Sequence, residues 1–235
     1  MAIWYLNRPE NKADATEIAV AQKLRAQLDD EWTIRWGYYY GKPGAKQPKD
    51  KEGDLLIQGP CGRILVMEIK GGNLRHFART GTWQQKSPRT KDNPITQLNG
   101  EWSAIRKQLT TAGEKSKSVP FIGKVLCCPN VDEDTKKQLL KNYGPELLIF
   151  NDGLNNFQKW WNEHLAPKPS FTDASSAKAL FEQELLAGLQ PQSVQLFLTQ
   201  SDQIFSDFQH AEFEVLEMLQ RNHQWMIEGG VGTGK

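Results

Sequence analysis

The sequence predicts an α/β fold: a mixed central β-sheet flanked by helices, followed by a mostly helical C-terminal segment. Three observations carry this. Ile18, Ala21, Leu24, Arg25 and Leu28 recur at helical spacing near the N-terminus. Two apolar runs, 54–58 and 63–69, flank Gly59-Pro60-Cys61-Gly62 as a β-hairpin would. Beyond them, helical and strand-like patterns alternate, which is the order that builds a sheet with helices packed on it.

Taken in order, Asn11 to Asp30 reads as the first helix, with Ala-rich filling between its apolar positions. Glu17 sits one residue before the apolar Ile18, where it reads either as a solvated carboxylate at the edge of the stripe or as a neighbour for charges elsewhere. Trp32 to Tyr40, rich in aromatic and β-branched residues, reads as a strand. Gly41 to Lys51 is a Pro/Gly/Lys loop whose lysines serve solubility or touch a phosphate backbone. After the hairpin, Pro94 opens a helix whose buried face is marked by Leu98, Trp102, Ile105 and Leu109, with Gln97 at its boundary. Phe121 to Cys128 and Leu147 to Phe150 read as strands, and Asp132 to Asn142 and Asn155 to Leu165 as helices.

At 235 residues the chain is long enough for one domain with a substantial core plus a further segment. A formal charge of +1 excludes a uniformly basic nucleic-acid coat, so any such binding rests on local patches. The three cysteines, Cys61, Cys127 and Cys128, form no CxxC and suggest no disulfide framework. A reducing, cytoplasmic setting is the expectation. The N-terminus lacks a basic stretch followed by an apolar core, and no run of about 18 apolar residues occurs, so a soluble protein without membrane association is expected.

The hairpin carries charges that an ordinary buried strand would not. Glu68 and Lys70 are two apart on an extended chain and face the same way, and the hairpin can return Asp54 to their side. Unpaired charge at the end of an apolar sheet is costly unless a cation or substrate accounts for it. From Lys70 to Lys91 there are six Lys or Arg residues, among them Arg75, Arg79, Lys86 and Arg89, and no Asp or Glu. Phe77 and Trp83 are interleaved with them. A charge run alone reads as a solvated face. Leaving directly from the carboxylate-bearing strand, it reads as a surface for a polyanion, with those four residues as nucleic-acid contacts.

Glu17 on the first helix, Asp54, Glu68-Ile69-Lys70-Gly71-Gly72, Trp83 and Pro94-x-x-Gln97 together resemble the NERD (nuclease-related) domain of the PD-(D/E)xK nuclease superfamily, over roughly Ala13 to Phe150. The acidic-x-Lys string alone is weak; the ordered set is much stronger. The resemblance implies a restriction-endonuclease-like core, with Asp54 and Glu68 as metal ligands and Lys70 near the reacting phosphate. Glu17 and Gln97 are its supporting catalytic residues. One departure is Gly53, which stands where the superfamily carries Pro.

What this implies chemically is hydrolysis of a phosphodiester, for which a hard divalent ion acidifies a bound water and polarises the phosphoryl oxygen. Asp54, Glu68 and the Ile69 carbonyl are the expected ligands, with Mg²⁺ first and Mn²⁺ substituting. Lys70 suits a phosphate as a compact ammonium. Without a metal, the same residues read as an ion pair centred on Lys70. Two functions from different classes follow: a Mg²⁺-dependent deoxyribonuclease, or a non-cleaving nucleic-acid-binding or assembly module. DNA is the expected partner, and a homodimer is an arrangement some nucleases of this type adopt.

Ala166-Pro167-Lys168-Pro169-Ser170 reads as part of a linker over 166–173, after a domain of residues 1–165. Ala174 to Leu189 and Phe205 to Arg221 read as helices. Ser201 to Glu228 holds six acidic residues against one Arg, so this part is not a DNA surface. Gln224 to Glu228 reads as a strand leading into Gly229-Gly230-Val231-Gly232-Thr233-Gly234-Lys235, the GxxxxGK of a phosphate-binding loop. With Gln209 in the place of an adenine-reading Gln, the stretch 174–235 resembles the start of a superfamily 1 helicase. The nucleotide contacts implied are Gln209, Gly229, Gly232, Thr233, Gly234 and Lys235. The expectation is a fragment of a nuclease-helicase, in which ATP belongs to the longer protein and the rest of the motor is the partner. A chance Gly-rich tail is the alternative.

Overall fold

The computed structural model describes residues 2–6, 15–40, 51–72, 74–77, 82–84, 93–116, 119–170 and 172–189. They fall in one compact unit, Met1–Val194; a second unit, Gln195–Lys235, lies outside the described residues.

The chain begins with β1 (Ile3–Leu6), α1 (Ala15–Gln27) and β2 (Thr33–Tyr40). The expected hairpin follows as β3 (Lys51–Gln58) and β4 (Ile64–Ile69), paired antiparallel from Leu55↔Met67 to Gln58↔Ile64. Its turn closes with the Gly62 N–H donating to the Gly59 carbonyl at 2.9 Å, and Gly62 takes φ +74, a conformation costly for any side chain. Then come a short hairpin, β5 (Arg75–Phe77) and β6 (Thr82–Gln84), the long α2 (Pro94–Ser116), β7 (Ile122–Cys127), α3 (Glu133–Tyr143) and β8 (Leu148–Ile149). Three helices complete the described chain: α4 (Asn151–Asn155), α5 (Phe157–His164) and α6 (Ala174–Leu185).

The six-stranded sheet has the order β1-β2-β3-β4-β7-β8. β3 pairs antiparallel with both β2 and β4, whereas β4, β7 and β8 run parallel, as do β1 and β2. This is the mixed sheet flanked by helices that the sequence predicts. β4 lies at the centre with all six residues buried, which is why its sequence is nearly continuous in apolar residues.

Alternation along the strands sorts the two faces. Ile64 and Val66 of β4 and Ile122 and Leu126 of β7 share one cluster with Leu98, Ile105 and Leu109 of α2, Leu139 of α3 and Leu180, Phe181 and Leu185 of α6. The other face is covered by α1, α4 and α5: Gln27 bonds Leu154 and Phe157, and the Trp32 ring meets Phe157 and Trp161 edge-on.

Several local expectations are corrected. β1 was not anticipated, because four residues carry no period of their own and the strand exists by pairing with β2. The closing helix expected over 155–165 is α5, Phe157–His164, set off from α4 by Asn156, whose φ of −132° and ψ of 48° lie outside the helical region. The helix from Ala174 ends at Leu185, not Leu189, ahead of Gly188 at φ +77. The segment read as a linker is tied down, with the Arg63 guanidinium donating to the Lys168 carbonyl at 2.6 and 3.2 Å and Thr172 Oγ1 to the Val119 carbonyl at 2.7 Å. α6 beyond it packs into the same core as α2.

Candidate active site

Glu68 continues the Ile64–Val66 face of β4 and so points toward α2, where it is 1% exposed. Lys70 follows on the same side. Its backbone N–H donates to the Cys127 carbonyl at 2.8 Å, extending the ladder one residue past the strand. Its ammonium donates to Glu68 Oε1 and, at 3.1 Å, to Gln97 Oε1 in the first turn of α2. Asp54 comes from the neighbouring strand, 7% exposed, and its Oδ2 accepts the Ile69 N–H at 2.7 Å. A carboxylate therefore stands where strand pairing has ended and a backbone donor would otherwise be left over.

Gln97 hands the network onward. Its Nε2 donates to Glu101 Oε1 at 3.1 Å, one helical turn later, and Glu101 Oε2 accepts the Tyr38 hydroxyl at 3.2 Å. Glu101 is 0% exposed, and sequence reasoning missed it. Trp102 was expected on the buried face; instead the helix turns Glu101 inward. Trp102 lies at the rim, its Nε1 donating to the Ile122 carbonyl at 2.9 Å and its ring under Arg106 and Lys124. The signal that could have found Glu101 is its position: a carboxylate three residues after Leu98 and four before Ile105, inside the apolar stripe.

Glu17 lies in the first turn of α1, buried, accepting from Trp36 Nε1 at 3.3 Å. Trp36 pairs across the sheet with Leu55, the neighbour of Asp54. Gly71 explains how α1 comes so near: a Cβ there would sit 2.2 Å from Thr16 Oγ1, so the backbone after Lys70 lies directly against the start of α1. The structure thus joins Glu68, Lys70 and Gln97 in one bonded group, ties Asp54 to it through the Ile69 backbone, and brings Glu17 near through Trp36 and the close approach of α1 to Gly71.

Burial pushes the Glu68 carboxyl well above the usual carboxylate range, with Glu101 adding to the rise and Lys70 opposing it. Glu101 is also raised, by burial first. For Lys70, burial pulls the ammonium down, but Glu68, Asp54 and Glu101 outweigh it and leave its pKa raised, so the positive charge persists. Three carboxylates against one ammonium is a surplus of negative charge in a place poor in water. Glu68 Oε2 is buried and meets no hydrogen-bond donor, although the Glu68 and Glu101 carboxyls are in contact. Two carboxyls attract only with a proton or a cation between them.

That orphaned oxygen is the test of whether a metal fits. Among the described residues no group of three or more His, Cys, Asp or Glu side chains is placed to hold an ion. The carboxyls that come near one another at the strand end, Asp54 and Glu68, offer oxygen donors, the kind a hard cation such as Mg²⁺ takes together with its waters.

The basic run fares differently. Arg75 is exposed on β5. Trp83 is half-buried on β6 and packs its ring against His76 and Tyr143 at 4.8 and 5.7 Å, so it supports the core and is not displayed for stacking. Arg79, Lys86 and Arg89 lie outside the described residues, as do Gln209, Gly229, Gly232, Thr233, Gly234 and Lys235.

Comparison with known families falls on the same part of the chain as the bonded group. A nuclease-related domain, NERD, is detected over residues 12–128. No curated protein and no solved structure matches the chain. The NERD region runs from just ahead of α1 to the end of β7, and so contains every residue of the bonded group, Glu101 and Tyr38 included. Its mixed sheet flanked by helices is consistent with a nuclease-like fold. β8 and α3 to α6 lie beyond the NERD region and complete the core around it.

Proposed function

We propose that the chain is a metal-dependent nuclease that hydrolyses phosphodiester bonds in DNA. The observation that carries this reading is the convergence of Asp54, Glu68 and a charged Lys70 at one strand end, with Glu68 Oε2 buried and lacking a donor. Asp54 and Glu68, with the Ile69 carbonyl, would hold Mg²⁺ or Mn²⁺, which supplies an acidified water and a polarised phosphoryl oxygen when bound. The Lys70 ammonium, kept protonated by the surrounding carboxylates, donates to a phosphoryl oxygen as negative charge grows on it. Gln97 fixes where that ammonium stands. Asp54, anchored on the Ile69 N–H, keeps one oxygen committed to the backbone and holds its carboxylate in place. Basic residues of the 70–91 run, Arg75 among them, meet the DNA backbone. The GxxxxGK string at 229–235 supports a setting beside an ATP-driven nucleic-acid motor, and cysteines that suggest no disulfide framework fit the cytoplasm.

The test is cleavage of single- and double-stranded DNA in Mg²⁺ or Mn²⁺. Chelation is expected to abolish it, and Lys70→Ala to lower the rate about 10²–10³-fold, the scale of losing one transition-state donor. Asp54→Ala is expected to leave no measurable cleavage. Wild-type and variant proteins equally inert while DNA still binds would overturn the enzyme reading in favour of a non-cleaving binding module.

A further inference from the structure

Gln97 stands between a carboxylate and an ammonium. Glu101 Oε1 is an acceptor here and Lys70 Nζ can only donate, so the Gln97 amide has one orientation that satisfies both: Nε2 toward Glu101, Oε1 toward Lys70. Turned over, it would set its NH₂ against the ammonium and its oxygen against the carboxylate. Glu101 is held in turn by the Tyr38 hydroxyl on its second oxygen. Two glycines let Tyr38 make that bond. At Gly37, φ is +70°, which breaks the alternation of β2, so that Trp36 reaches Glu17 on α1 while Tyr38 reaches Glu101 on α2. At Gly53, the Tyr38 ring fills the space of a side chain, since a Cβ there would lie 2.2 Å from the ring. The residue ahead of Asp54 is glycine because an aromatic ring crosses it.

We propose that Tyr38 and Glu101 are positioning residues that lock the amide orientation of Gln97 and, through it, the place of the Lys70 ammonium. Neither touches substrate. The kinetic part of this inference rests on the nuclease reading; the structural part does not. Two measurements separate them. The first is the NMR signal of the Gln97 side-chain amide, identified by its loss in Gln97→Leu. Glu101→Leu is expected to move that signal toward the position of an exposed glutamine, and Glu101→Gln, which keeps an acceptor, to hold it in place. The second is cleavage. Glu101→Leu is expected to cut kcat about 10–100-fold with KM within about twofold, because a transition-state contact is lost and ground-state binding is not. Gln97→Leu should do the same, and the double variant no worse than either single one, as for residues acting in one chain. Glu101→Gln should restore kcat to within about threefold, the scale of an exchanged neutral acceptor.

If Glu101→Leu does not fold, as judged by circular dichroism, the pair Tyr38→Phe and Gln97→Leu carries the same non-additivity test. A Gln97 signal indifferent to Glu101, losses that multiply, or Glu101→Gln as deficient as Glu101→Leu each overturn the proposal. A wild-type protein that cuts nothing, with the Gln97 signal displaced by Glu101→Leu and restored by Gln, overturns the nuclease reading and upholds the lock.

Discussion

At the scale of single residues, Gly53 shows how little space the site leaves. Its partner across the sheet is Tyr38, and the ring lies where a methyl group would go. Gly53→Ala is expected to destabilise the protein by about 1–3 kcal/mol, the usual cost of overpacking, as a lower urea midpoint at unchanged slope. In a Tyr38→Ala background the same change should cost almost nothing, because the obstructing ring is gone; equal costs in both backgrounds would show that the strain lies elsewhere. Residues of this kind separate what the sequence reveals from what it conceals. Asp54, Glu68 and Lys70 were legible because charge at the end of an apolar strand is anomalous by itself. Glu101 was concealed because it hides at a helical position where a neighbouring Trp is the more natural inward residue. Tyr38 was concealed because the turn of its side chain depends on a positive φ at Gly37, which no alternation rule foresees.

At the scale of elements, α2 is the platform on which the site is assembled, and α6 braces it from behind. Phe181 is 0% exposed and packs with Leu98, Ile105 and Leu109 in one cluster. Phe181→Ala is expected to cost about 3–5 kcal/mol through the cavity it leaves. A chain ending at residue 173 should likewise melt lower than one ending at 194, by thermal denaturation. A melting point unchanged on losing α6 would mean that the helix contributes nothing to the core. From α1 to β8 the order of helices and strands was legible apart from the short β5 and β6, since long periodic segments announce themselves. The attachment of α6 was not. Pro and Lys around 167–169 suggest a free connector, and only the contacts from Arg63 and to Val119 reveal a segment held in place. Side chains distant in sequence made that bond, and no local pattern encodes it.

At the scale of the whole molecule, charge and stability are linked through the same carboxylates. The Glu68 pKa is raised by folding, so its contribution to stability is fully present below the unfolded value near 4.5 and is lost as pH rises through the higher folded one. Without divalent cations, then, Glu68 opposes folding at neutral pH. Glu68→Gln is expected to raise the melting temperature in chelator at pH 7.5 and to have a smaller effect at pH 4.5. Mg²⁺ should stabilise the wild-type protein and not the variant, as mass action requires of a ligand that binds only the folded state. A melting temperature for Glu68→Gln below wild type across that range would contradict the sign of the linkage. No described helix is long and apolar enough to cross a membrane.

The bond from the Ile69 N–H to Asp54 has a consequence of its own. Next to it, the Lys70 N–H is held by a backbone carbonyl on β7, part of the ladder, and it can exchange its hydrogen only when the sheet opens. The Ile69 hydrogen is guarded by a side chain instead, and is released whenever that carboxylate turns away or takes a proton. Two successive amides therefore keep different clocks: one times the opening of the whole fold, the other the restlessness of a single acid at its centre.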